Sequence, residues 1–184
     1  MTVLPTLEFL PDVNNHACYA LCNNLFAHAN FMSYFYAMLS DDYLPLVLRA
    51  LDEDLHDAGD VTSKAIFDTQ GATMRLMSKD TGVLAGAAVF ETVFHLVDAE
   101  TIVEFRKRDG EKLEPGDYVA KVSGKTLSLL TAERTAINFL GLLSGIASQA
   151  RRFVDAADGR IRILDTRKTI PGYRDLAKYA GQIG

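Results

Sequence analysis

The chain has 184 residues, 48% hydrophobic and 23% charged, a balance that excludes a disordered or low-complexity protein and fits a globular one with a core. A net charge of −5 disfavours non-specific nucleic-acid binding, which needs a basic footprint, but leaves room for anionic small molecules held by local charge. Its two cysteines, Cys18 and Cys22, are too few and too close for a disulfide framework, so the expected setting is reducing and cytoplasmic.

Residues 1–40 read as an aromatic-rich helical extension, with six aromatics between Tyr19 and Tyr36. The apolar-looking stretch 17–39 is interrupted by Asn23, Asn24, His28 and Asn30. A membrane span needs about 20 predominantly apolar residues, so a helical lead-in packed on the domain or on a partner subunit is expected instead. No basic segment precedes an apolar one in the manner of a signal peptide. His16, Cys18, Cys22 and His28 lack the paired spacing of structural zinc, and no metal site is assigned to them.

Over 43–51 the period turns helical, with Leu44, Val47, Leu48 and Leu51 on one face. The segment LDEDLHDAGDVTS then makes an acidic turn around Gly59, with Asp60 or Thr62 placed to cap an element or turn the chain. Asp52, Glu53, Asp54, Asp57 and Asp60 lack the spacing of an EF-hand and read as a solvated helix end. Residues 65–79 alternate as a strand, with Met74, Leu76 and Ser78 on one side, Thr73, Arg75 and Met77 on the other, and a bend at Gly71. The run GVLAGAAVF over 82–90 is expected to be a strand whose small residues let another element approach, followed by a helix over 91–97 and a strand over 101–106. Pro115-Gly116 centres a turn, and 118–122 with 125–130 read as a hairpin about Ser123-Gly124. Residues 41–131 thus form one small domain with an antiparallel sheet.

A helical stripe follows through Ala136, Phe139, Leu140, Leu143, Ile146, Ala147, Ala150, Phe153 and Val154, with Gly141 and Gly145 expected to divide it into a helix pair or permit tight packing, and Gly159 to end it. Then RIRILDTRKT reads as a strand, and Pro171-Gly172 leads into a helix with Tyr173, Leu176, Ala177 and Ala180 on one face. Strand, polar loop and helix in that order make the first unit of an α/β barrel or a doubly wound sheet.

Two segments carry candidate chemistry. In Asp165-Thr166-Arg167-Lys168-Thr169, two cations and two hydroxyls fall where the expected strand emerges, the edge at which such folds place their sites. The Arg167 guanidinium is a planar fork for a carboxylate or phosphate, and the Lys168 ammonium is a compact positive charge. The bland alternative is a solvated basic loop. The second segment is Glu133-Arg134-Thr135, expected at the start of the apolar helix. There Glu133 suits the helix dipole, whereas Arg134 needs an anionic ligand or a pairing with Glu133.

The stretches TAERTAINFLGLLSGIASQARRFVDA and RILDTRKTIPGYRDLAKYA, with GDVTS, GVLAG and PGDYVAKVSG upstream, resemble the quinolinate phosphoribosyltransferase family in order and spacing over roughly 45–183. The resemblance implies an α/β protein with an N-terminal open sandwich over 41–131. Residues 132–184 would then be a helix pair and the first βα unit of an incomplete α/β barrel. It implies transfer of phosphoribose from phosphoribosyl pyrophosphate to the quinolinate nitrogen in NAD synthesis, with loss of pyrophosphate and carbon dioxide. Mg²⁺ would accompany the pyrophosphate, with no ligand from this chain, and the assembly would be a homodimer or larger with shared sites. By motif match Arg167 grips a quinolinate carboxylate with support from Thr166. Arg134 does the same, reaching into a neighbouring subunit, and Lys168 faces the phosphoribosyl pyrophosphate.

A full barrel takes roughly 200 residues and about 25 follow Arg160, so the expectation is a partial chain with little turnover by itself. Three other readings compete. One is the molybdate-transport-associated relative with another acceptor. The second is a lipoyl-like carrier module modified at Lys125, and the third is a remnant that dimerises with a full-length partner.

Overall fold

A computed structural model describes residues 43–184. The expectations for the aromatic-rich segment 1–40, including those for His16, Cys18, Cys22 and His28, lie outside the described residues. Among the described residues no helix is long and apolar enough to cross a membrane.

Helix α1, Leu44–Leu55, carries Pro45 in its first turn, where a missing N–H is harmless, and buries Val47, Leu51 and Leu55, each four residues from the last. Asp60 caps the short helix α2, Val61–Ile66, by accepting a 2.9 Å hydrogen bond from the Ser63 N–H. This helix takes the first residues of the expected strand, and strand β1 begins only at Gly71, running Gly71–Met77. The expected alternation then holds, with Ala72, Met74 and Leu76 half-buried and Thr73, Arg75 and Met77 exposed.

The run 82–90 departs from expectation. Strand β2 is only Gly82–Val83, and helix α3, Ala87–Val97, starts four residues earlier than the expected Glu91. The cause lies elsewhere in the chain. Gly86 takes a left-handed φ of 99°, and the Asp109 carboxylate accepts from the Gly86 and Ala87 N–H groups at 2.8 and 3.1 Å. A distant carboxylate thus satisfies two of the helix's orphan donors, which no local pattern announces. The expected close approach is real, since a Cβ at Gly82 would meet Ser148 Oγ at 2.6 Å and one at Gly86 would meet Leu143 at 2.6 Å.

Strand β3, Ile102–Phe105, and the short β4, Lys112–Leu113, precede β5, Tyr118–Lys125. The expected hairpin about Ser123-Gly124 does not form. Strand β5 runs straight through both residues and turns directly into a helix. Gly124 serves proximity rather than a turn, because a Cβ there would come within 3.2 Å of Thr101 Oγ1. The main sheet has the antiparallel order β1-β5-β3, with Met74 and Val103 both opposite Val122, and β2 pairs with β4 as a separate ribbon. The α/β fold class therefore stands.

Helix α4, Thr126–Ala157, is a single rod of 32 residues, about 48 Å long, where a helix pair was expected. Gly141 and Gly145 face open space, so they neither break the rod nor let a neighbour approach. Glycine lowers helix propensity by only about 1 kcal/mol. The buried stripe Leu129, Ala132, Ala136, Phe139, Leu140, Leu143 and Ala147 continues across both glycines and holds the helix to the core. Beyond Ala147 the expected burial stops, and Phe153 and Val154 are exposed.

The expected strand RIRILDTRKT is absent. Residues 158–173 are a loop, with Ile161, Ile163 and Leu164 exposed. Among the described residues no strand lies alongside to complete a ladder, and a lone strand leaves its backbone groups unpaired. Among the described residues, 160–184 therefore form no βα unit. Helix α5, Arg174–Ile183, follows and buries Leu176, Tyr179 and Ala180 against α4.

Candidate substrate-binding site

The loop between α4 and α5 brings Thr166, Arg167 and Lys168 together and leaves all three exposed. Its local shape is set by two side chains. Asp165 Oδ1 accepts from the Thr166 N–H at 2.6 Å, and Thr166 Oγ1 accepts from the Lys168 N–H at 3.2 Å. Asp165 Oδ2 meets Lys178 Nζ of α5 at 2.6 Å. That contact, the largest influence, holds the Asp165 carboxyl below its ordinary range against the upward push of burial, and the weaker backbone hydrogen bond from Thr166 adds to the lowering. Neither Arg167 nor Lys168 has a carboxylate partner among the described residues, so both charges face outward unneutralised. The far end of the loop is fixed by Tyr173, whose ring stacks on Phe139 of α4 with centroids 5.9 Å apart.

Arg134 stands elsewhere. Since α4 begins at Thr126, Glu133 and Arg134 lie past its second turn and not at its start, which removes the expected role of the helix dipole. The Arg134 guanidinium donates to Asp54 Oδ1 of α1 at 2.7 Å, so its internal partner is Asp54 and not the expected Glu133. A cavity of about 420 Å³ opens beside it, lined in part by Asp54, Asp60, Thr62, Glu133 and Arg134. Three carboxylates against one guanidinium make that cavity unwelcoming to a dianion while Arg134 stays paired. Thr166, Arg167 and Lys168 line no part of it.

Lys125 sits at the junction of β5 and α4, paired to Asp98 and Glu100 at 3.5 and 3.0 Å. A carrier lysine needs an exposed hairpin tip, so the lipoyl-like reading falls. Among the described residues no cluster of three His, Cys, Asp or Glu side chains is placed to hold a metal ion.

Two family models match the chain, "Quinolinate phosphoribosyl transferase, N-terminal domain" over residues 60–144 and the C-terminal domain of the same family over residues 146–184. The chain belongs to the quinolinate phosphoribosyltransferase family. Within that family it is 39% identical over 144 residues to quinolinate phosphoribosyltransferase [decarboxylating] 1b of Nicotiana tabacum, covering 78% of this chain and 41% of that protein. The crystal structure of NadC from Streptococcus pyogenes is similar at a TM-score of 0.73 and 44% identity, over 77% of this chain and 51% of that one. The nicotinate-nucleotide pyrophosphorylase from Francisella tularensis gives a TM-score of 0.75 at 31% identity, over 78% of this chain and 51% of that one. The chain therefore spans about half the length of the family members it matches.

Proposed function

We propose that this chain carries the quinolinate-gripping part of a phosphoribosyltransferase that makes nicotinate mononucleotide for NAD synthesis. The observation that carries the reading is the Thr166-Arg167-Lys168 segment, exposed and unneutralised, inside a stretch that matches the family's C-terminal domain. Quinolinate is a dianion, and a planar guanidinium grips a carboxylate through two parallel hydrogen bonds. Arg167 takes one carboxylate, the Thr166 hydroxyl supports it, and Lys168 turns its ammonium toward the phosphoribosyl pyrophosphate.

Held in this way, the ring nitrogen is aimed at the anomeric carbon. Fixing that approach supplies much of the rate, because a bimolecular encounter becomes an internal one. The nitrogen lone pair forms the new bond and pyrophosphate leaves with the electrons of the old one; the 2-carboxylate then departs as carbon dioxide, leaving its bonding pair on the ring carbon, which takes a proton from water. Positive charge from the loop stabilises the negative charge that develops at both departures. Arg134 completes the carboxylate grip from a neighbouring subunit of a homodimer or larger assembly, which requires it to exchange Asp54 for the ligand. Mg²⁺ travels with the pyrophosphate, and the described residues offer it no ligand cluster, so no step here runs through it.

Turnover tests this reading. The loop cations line no part of the cavity beside Arg134, so the 184-residue chain alone should form little nicotinate mononucleotide from quinolinate, phosphoribosyl pyrophosphate and Mg²⁺. Mixed with the part of the Streptococcus pyogenes protein that it does not match, it should form product. A mixture that assembles yet makes no product contradicts the reading, and rapid turnover by the chain alone contradicts the need for a second contributor.

A further inference from the structure

Among the described residues, the loop over 158–173 has backbone N–H donors bonded to backbone acceptors only near its ends, from Asp158 to Asp155, from Arg160 to Ala157 and from Tyr173 to Ile170. Between those ends, among the described residues, its order comes from Asp165 and Thr166 alone, and its tie to the rest of the fold there is the 2.6 Å contact from Asp165 to Lys178. Lys178 is adjacent in sequence to Tyr179, about 100° away around α5. Tyr179 points inward and is buried, and its hydroxyl donates to Asp109 Oδ2 at 2.5 Å. The same Asp109 carboxylate accepts from the Gly86 and Ala87 N–H groups that open α3. A continuous path of contacts thus runs from the start of α3 through Asp109 and Tyr179 to α5, then through Lys178 and Asp165 to the backbone of Thr166 and Lys168.

We infer that Lys178 is a positioning residue for the Thr166-Arg167-Lys168 segment, acting through Asp165 from a helix turn that the Tyr179–Asp109 hydrogen bond anchors. The inference rests on the proposed quinolinate site and assigns the neighbouring Lys-Tyr pair a role distinct from substrate contact. The half-buried Lys178 ammonium, 32% exposed against 47% for Asp165, is close enough to bond and sheltered enough to hold one geometry. Burial and the adjacent Asp109 carboxylate push the Tyr179 phenol upward from its ordinary value, so it remains a protonated donor throughout the neutral range. An exposed ion pair adds little to global stability. Its effect here is local, restricting the conformations of a loop that lacks a ladder, and a carboxylate fork works only when its guanidinium is aimed.

The test compares Lys178→Met, Lys178→Arg and Tyr179→Phe with the unaltered chain. Backbone amide exchange is followed residue by residue, and quinolinate affinity is followed by titration. Lys178→Met should speed exchange at Thr166 and Lys168 several-fold while the buried amides of α5 keep their protection, and should weaken quinolinate binding several-fold. Lys178→Arg should restore both readouts, which a purely steric role would not do. Tyr179→Phe leaves Asp109 with its two backbone donors, so the fold survives, and exchange should rise along α5 and at Thr166 together. Unchanged exchange at Thr166 and Lys168 in Lys178→Met overturns the clamp. Faster exchange with unchanged quinolinate affinity overturns its positioning role. Absence of quinolinate binding by the unaltered chain overturns the site reading instead, and with it the positioning role, while the exchange data still decide whether the clamp exists.

Discussion

Replacing Phe139 with alanine lowers the stability of the chain by about 3–5 kcal/mol. The ring is 2% exposed, sits in the core cluster with Leu140, Leu143 and Leu176, and carries the stacked Tyr173 ring that closes the 158–173 loop. Truncation removes transfer energy, leaves a cavity between two helices, and loses an aromatic pair worth about 0.5–1.5 kcal/mol beyond its area. Domains of this kind have about 5–15 kcal/mol in all, so the variant approaches the edge of folding. Urea denaturation of wild type and variant measures the difference, and a change below about 1 kcal/mol would show that α5 and the loop do not depend on this contact.

Arg167→Ala acts on function and spares the fold. The side chain is exposed and lacks a carboxylate partner among the described residues, so stability changes by no more than about 0.5 kcal/mol. In the assembled mixture kcat/KM for quinolinate falls by about two to three orders of magnitude, the consequence of losing one side of a desolvated charge clamp worth about 2–5 kcal/mol. Arg167→Lys recovers little, because an ammonium offers a point charge where the carboxylate needs a planar fork. Steady-state kinetics at saturating phosphoribosyl pyrophosphate measure both variants, and wild-type kcat/KM in Arg167→Ala would remove this residue from the mechanism.

Where periodicity is local, the sequence was a sufficient guide. Val47 and Leu51 mark the buried face of α1, and the alternation about Met74 marks β1, because burial follows directly from 3.6- and 2-residue repeats. Glycine was the recurrent source of error, since one residue serves a turn, a close approach or no special need at all. Gly124 passes through a strand for the sake of Thr101, Gly86 opens a helix because Asp109 reaches it, and Gly141 and Gly145 simply face solvent. The missing strand at 160–164 has a different cause. Its β-branched pattern is real, but a parallel strand is stabilised by neighbours, and the described residues supply none.

The loop cations were legible as a motif because Thr166, Arg167 and Lys168 are consecutive. Arg134 was legible as a functional candidate, but its partner Asp54 lies on another helix and no spacing rule connects the two. The Lys178–Asp165 and Tyr179–Asp109 contacts were hidden for the same reason, although Lys178 and Tyr179 stand inside the motif that gave the family away.

Titration of the isotope-labelled chain with quinolinate, following the backbone amides by NMR, tests the central claim most directly. The account predicts saturable shifts at Thr166, Arg167 and Lys168 that exceed those elsewhere and that pyridine, which lacks the two carboxylates, does not reproduce. Shifts absent from these three residues, or matched by pyridine at equal concentration, would contradict it.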